Sequence, residues 1–378
     1  ARATRSHGHF RGGLRGMAVA GALSMAAALA LPAVAGASPP SSTGFLSHFS
    51  KVTNVVSTVP ANGDLNPYGI AVVPQSTGKL VKGDTLVSNF NNSANLQGTG
   101  STIVEISPSG VVSPFAQLSS GVGLTTALTT LPGGWVVVGN LPTTDGTSAT
   151  AKAGSLIVLN SQGIPVETWS GNNINVPWDL TSISGNDWSE IFVSNVLNGT
   201  VANSPSTVNG GTVVRLLTTS GDDRPPRLLA STVIANGFAE RTDPAALVVG
   251  PTGLAIGSNG QLFVADTVNS RIAVIPFAVW RFSPATHGGA TVSSGGALNA
   301  PLGLATAPDG DLLSVNGGDG NIVETTPSGH QLLSTQIDPA GAGGDLFGLT
   351  IAPNGHGVLF VDDGDNTLKL FGPGPAGH

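Results

Sequence analysis

Six short apolar runs in this chain end on a carboxamide or a carboxylate: Asn89, Asn140, Asn195, Asp266, Asn316 and Asp362. Side chains of this kind do two sorts of work. Their oxygens ligate hard cations such as calcium or magnesium. They also bond to nearby backbone and so close turns. If the six converged, they would hold a divalent cation, with Asp266 and Asp362 as its anionic ligands. The plainer alternative is that each closes its own loop. The run Asp362-Asp-Gly-Asp365-Asn366, with Asp319, adds acid, but it lacks the spacing and terminal Glu of an EF-hand.

Two further sets carry chemistry. Tyr68, Trp178, Asp179 and Phe347 stand at the entries of apolar runs, and Tyr68 is the only tyrosine. Exposed, such rings stack on a sugar or an apolar ligand; buried, they wedge between packed units. Glu240, Arg241 and Asp243 put three charges within four positions of a chain that is only 10 % charged. An arginine there offers a fork of donors to an anion or a hydroxyl, or it clamps a long loop against its own carboxylates. The candidate ligand-binding residues are therefore Tyr68, Asn89, Trp178, Asp179, Asn195, Glu240, Arg241, Asp243, Asp266, Asn316 and Phe347.

The elements that must position these groups follow from a repeated pattern. Gly250 to Ile275 reads as an entry (Pro251-Thr-Gly253), an apolar run, a Ser-Asn-Gly turn, a second run ending on Asp266, and a third run from Ile272 to Ile275. Related units begin near residues 66, 122, 176, 300 and 346, about 46 to 74 residues apart. Periods of this length with three or four strands each indicate propeller blades. A lone blade cannot cover both of its faces, so blades stack around an axis. The expected fold is all-β, a six-bladed propeller over residues 38–372, with blades near 66–118, 122–170, 176–234, 250–292, 300–337 and 346–371. The last unit has three strands only. The strand-like segment 45–56 is expected to complete it and close the ring, which removes two open edges.

The motif Pro-x-Gly-Leu-Ala-Ile … Gly-x-Leu-Phe-Val-Ala-Asp-x-x-Asn-x-Arg-Ile, from Pro251 to Ile272, resembles the NHL repeat. The resemblance implies a six-bladed propeller and says little about activity, because such propellers serve as binding modules, lyases and lactonases alike. A streptogramin-lyase-like site would need histidine at the axial mouth, and none of the histidines occupies an entry loop. A gluconolactonase-like site would need a glutamate on an innermost strand, and the first runs contain none.

Antiparallel alternation places the entry loops and the ends of the second strands on one face. The long insertions 91–100, 143–153 and 196–210 should project from the same side, and long loops on one face are where function tends to reside. A protein, glycan or small-ligand binding module working through this loop-bearing face is the expected function. The alternative is a metal-assisted enzyme of the lactonase or lyase type, its calcium or magnesium held by the axial Asn/Asp set.

Composition narrows the classes. Gly (53) and Pro (26) suit short strands and tight turns, and the absence of cysteine excludes disulfides and thiolate chemistry. Residues 1–37 carry four arginines, an apolar Ala-rich run from Met17 to Leu31 and small-x-small sites at 33–37, the pattern of a secretory signal peptide. The remaining chain has a net charge of −11. That argues against nucleic acid and anionic lipid as partners. A secreted or periplasmic monomer, without membrane insertion once the signal is removed, is expected.

Overall fold

A computed structural model describes residues 43–221, 224–340 and 344–374; the expected signal segment lies outside them. The described residues form six antiparallel sheets, five with four strands and one with five. The chain is an all-β, six-bladed β-propeller. The innermost strands, in blade order, are Leu65–Val72, Leu124–Leu131, Pro177–Ser184, Pro251–Ile256, Pro301–Thr306 and Leu346–Ile351.

The core lies between blades rather than inside any one of them. Ala127, Val137 and Val158 of blade two pack with Ile191, Val193 and Leu216 of blade three in one buried cluster. Second strands such as Thr85–Asn91 and Trp135–Asn140 are buried at every position. Trp135–Asn140 is apolar up to its last residue, because a strand covered on both faces has no solvent side to mark with polar residues, and Thr85–Asn91 carries its buried Ser88 and Asn89 in hydrogen bonds to backbone.

Every innermost strand breaks register against its neighbour at the same place, between Pro251 and Leu254 in blade four and at the matching positions elsewhere. The ladder resumes at Gly69 in blade one and directly after Gly253, Gly303 and Gly348 in blades four, five and six. A β-carbon on any of these would run into backbone of the next blade's innermost strand: Thr126 O for Gly69, Leu302 O for Gly253, Phe347 O for Gly303 and Tyr68 O for Gly348. The Pro-x-Gly entry therefore reflects strands that approach backbone to backbone around the axis. In blade two the same column holds Ala127, and in blade three it holds Asp179.

Ring closure is as expected. Lys51–Ser57 pairs antiparallel with Thr367–Gly372, from Lys51 opposite Gly372 to Ser57 opposite Thr367, with one bulge. The strand begins later than the apolar pattern suggests. Phe45–His48 is a 3-10 turn, because Phe45 N and Leu46 N donate to the Glu324 carboxylate of blade five at 2.6 and 2.9 Å. That bend drops Leu46, fully buried, into the cluster shared by blades five and six.

Blade three differs from the others. Its outer strand Leu228–Asp243 runs past its sheet and doubles back as Leu247–Val249. The returning strand sits over the loop-face end of the axis, where Trp178 Nε1 donates to Val248 O at 3.2 Å. The hairpin tip reaches blade one, where Gln97 Nε2 donates to Pro244 O at 2.8 Å. Beneath it Tyr68 stacks between Phe90 and Phe347, with ring centroids 4.6 and 3.8 Å away. This aromatic layer and the hairpin close the axis on the loop-bearing face. No helix among the described residues is long and apolar enough to cross a membrane.

Replacing Gly303 by alanine puts a methyl group onto Phe347 O, a backbone atom that cannot swing aside. The expected cost is about 1–3 kcal/mol in chemical denaturation. Unchanged stability in Gly303→Ala would show that the innermost strands are free to spread.

Candidate functional site

With one end of the axis sealed, the innermost strands enclose a well of about 330 Å³ that opens at the opposite face. Its deep end lies against Thr126, Asp179, Gly303 and Gly348, and its rim is made by Val72, Thr130, Thr181, Ile256, Thr306 and Ile351. Exposure rises along each strand in that direction: Leu254, Leu304 and Leu349 are buried, whereas Ile256, Thr306 and Ile351 are half-buried. The lining alternates aliphatic side chains with threonine hydroxyls.

Asp179 is the one charged residue on the six innermost strands. It stands in the column where other blades need glycine, and it fits because its carboxylate, rather than backbone, meets the next blade. Leu254 N donates to Asp179 Oδ2 at 2.9 Å. Its own amide donates to Ser194 Oγ at 3.1 Å, and that hydroxyl donates to Thr252 O at 2.8 Å, so blades three and four are laced together beside the well. Burial raises the Asp179 pKa to about 7, against the opposing pull of the amides of Leu254 and Leu180. At the same depth the Thr126 hydroxyl is buried without a hydrogen-bond partner. A carboxyl poised near neutrality and a free hydroxyl can hold an alcohol or an amine, or pass a proton to one.

The remaining sequence-derived residues lie elsewhere. The six carboxamides and carboxylates do not gather on the axis; each is buried and bonded within its own blade or its flanking link. Asn89 Nδ2 donates to Thr58 O at 3.2 Å, Asn140 Oδ1 accepts from Gly123 N at 2.8 Å, and Asn195 Oδ1 accepts from Asn175 N at 3.0 Å. Asn316 Nδ2 donates to Ala297 O at 2.7 Å. Asp266 pairs with Arg271 Nε at 2.6 Å, and Asp362 with Lys369 Nζ at 2.5 Å. Among the described residues no acidic cluster joins Asp266 to Asp362. The axial residues, one carboxylate among threonines, do not fit a divalent cation, which takes six to eight oxygens if it is calcium.

Tyr68, Trp178 and Phe347 are 2 %, 3 % and 0 % exposed, so their rings are packing rather than a ligand platform. Burial pushes the Tyr68 hydroxyl well above its ordinary pKa. Arg241 and Asp243 form a clamp on the hairpin: Arg241 Nη1 lies 2.7 Å from Asp243 Oδ2, while Asp243 Oδ1 accepts from Ala245 N and Ala246 N at 2.9 and 3.2 Å. Glu240 is fully buried, accepts from Asn198 N at 2.9 Å, and is raised to about 7 by burial. Of the sequence-derived residues, Asp179 alone faces the well.

Sequence reasoning placed Asp179 at the mouth and passed over Thr126. Aligning the six units at the Pro-x-Gly column singles out Asp179, since four of them have glycine there. Thr126 sits in Leu-Thr-Thr-Ala-Leu-Thr-Thr-Leu, where the entry motif is lost and no pattern distinguishes lining from core. Phe277, Trp280 and Phe282 also escaped notice; they are 70 %, 74 % and 83 % exposed on the loop between the third and fourth strands of blade four, away from the well.

The Asp179 pKa carries a sign. Raised in the fold, it favours the folded state fully below pH 4 and loses that contribution as pH climbs toward 7. Asp179→Asn removes the ionisation and keeps an acceptor for Leu254 N. The stability of the variant relative to the parent is expected to rise between pH 4 and 7 and then level off, by at most about 4 kcal/mol. A difference that stays flat across this range in urea titrations would contradict the placement of the carboxyl.

Comparison with known proteins agrees with the fold. The NHL repeat family matches residues 249–275, the entry and first three strands of blade four. A luciferin-regenerating enzyme superposes with a TM-score of 0.52 at 12 % identity, over 86 % of this chain and 96 % of that one. A gluconolactonase from Xanthomonas campestris superposes with a TM-score of 0.53 at 14 % identity, again over 86 % and 96 %. No curated protein matches in sequence. At such identities the likeness speaks for architecture alone. With one NHL repeat matched at residues 249–275 and five more sheets built around the same axis on the same plan, the chain is a six-bladed β-propeller that carries an NHL repeat.

Proposed function

We propose that the chain is a small-molecule binding module that takes its ligand into the axial well from the face opposite the long loops. The observation that carries this reading is the single carboxyl at the deep end of a well otherwise lined by aliphatic and threonine side chains. A cavity of about 330 Å³ is at the lower end of the range of small-molecule sites. Its lining suits a compact ligand with an apolar body and one amine or hydroxyl directed at Asp179. Anions are disfavoured above pH 7, where Asp179 is ionised and no cationic side chain lines the well. Export as a monomer, with residues 1–37 as the leader, is part of the same proposal. A metal-assisted hydrolase draws less support, since the axis offers one carboxylate and no converging ligand set.

Ligand-observed NMR with a panel of small amines and alcohols tests the reading. Primary amines are expected to bind up to about tenfold more tightly at pH 8 than at pH 6, following ionisation of Asp179. Thr181→Trp, which fills the rim, should abolish binding while leaving the fold intact by circular dichroism. Amine binding that survives in Thr181→Trp, or that ignores pH in this window, would place the ligand somewhere else.

A further inference from the structure

Carboxylate oxygens of Asp338, Asp345 and Asp362 lie within 4.8 Å of one another at the edge of blade six. Asp338 and Asp345 come from the link between blades five and six, and Asp362 ends the second strand of blade six. Asp345 Oδ2 and Asp362 Oδ1 both face the α-carbon of Gly364, where a β-carbon would stand 2.9 and 3.2 Å from them. Asp363 and Asp365 add two more acids to the same turn.

One cation is already present. Lys369 Nζ lies 2.5 Å from Asp362 Oδ2 and 2.8 Å from Asp365 Oδ2. It makes no ion pair with Asp338 or Asp345. Asp338 is 4 % exposed; its Oδ1 accepts from Ala340 N at 3.0 Å, and its Oδ2 is buried with no hydrogen-bond partner at all. A buried carboxylate oxygen left bare beside two other carboxylates is costly unless a positive charge meets it.

We propose that Asp338, Asp345 and Asp362 form a calcium site that pins the entry of blade six to the turn that holds the ring closed. Two oxygens on one calcium, each at 2.3–2.6 Å, are at most about 4.6–5.2 Å apart, which the 4.8 Å bound on this set satisfies; magnesium, which demands near-ideal octahedral geometry and dehydrates reluctantly, suits three fixed carboxylates less well. Water and backbone carbonyls complete the coordination. The turn that carries Asp362 also holds the ring closed. Asn366 O accepts from Thr58 N at 2.9 Å, at the exit of the closing strand, and Asn366 Oδ1 accepts from Asn66 N at 2.7 Å, at the entry of blade one. A cation tying Asp338 and Asp345 to this turn therefore braces the seam between the two ends of the propeller. The site is separate from the axial well.

Scanning calorimetry of the full chain, in chelator and in millimolar calcium, tests this. Saturating calcium is expected to raise the melting temperature by about 4 °C or more, and magnesium by less. Asp338→Asn should abolish the calcium response, yet melt no lower than the parent in chelator, because a like charge has gone. Asp345→Asn should behave alike, which keeps the test open if one variant fails to fold. Asp179→Asn should retain the full calcium shift, separating this site from the ligand-binding reading. Superimposable parent melts with and without calcium, or an undiminished shift in both Asp338→Asn and Asp345→Asn, would overturn the proposal.

Discussion

The structure depends on how closely the innermost strands pass one another around the axis. At one position in four of the six blades the backbone of the next strand occupies the space of a β-carbon, as at Gly253, Gly303 and Gly348. Glycine there is a steric requirement imposed by the ring, and the register break beside it is the local adjustment that lets the strand bend past its neighbour. Asp179 departs from this column by replacing a backbone contact with a carboxylate-to-amide hydrogen bond to Leu254. The same substitution that keeps blades three and four together also brings an ionisable group into an otherwise uncharged well. Stability and site chemistry share one residue, and its neutral form at low pH suits the apolar surroundings better than its anion does.

The hairpin from blade three decides which face is available. Its strand Leu247–Val249, backed by Trp178, Tyr68 and Phe347, converts the loop-face end of the axis into core. Aromatic side chains are large enough to close the taper of a six-bladed ring, and their burial contributes more than exposure to a ligand would. The long loops expected to frame a binding mouth instead support this seal, as Gln97 does by reaching Pro244.

Acidic groups in this chain are few, and many of those described accept from backbone amides. Glu324 seats the 3-10 turn that leads into the closing strand, and Asp243 shapes the tip of the hairpin. The Asn and Asp residues that end the second strands do the same for their own links. Carboxylates also crowd together in blade six, as they do at Asp309, Asp311 and Glu324 in blade five. Those of blade six outnumber the one lysine among them, and one oxygen has no partner.

Blade number, strand order within each blade and closure by the N-terminal strand were legible in the sequence. They follow from local facts: runs long enough for strands, turn residues between them, and a final unit one strand short. The NHL-like stretch at Pro251–Ile272 was legible for the same reason. Which polar residues face the axis was not. Asn89, Asn195 and Asp266 follow the same grammar as a ligand ring, yet they turn into their own blades, because backbone of the flanking links meets Asn89 and Asn195 and the Arg271 guanidinium of the same blade meets Asp266. The sealing of one mouth, the depth of Asp179 and the meeting of Asp338 with Asp362 are products of tertiary structure alone. They set residues far apart along the chain against each other through sheet stacking and ring closure, and no periodicity within a single blade encodes where its neighbour will stand.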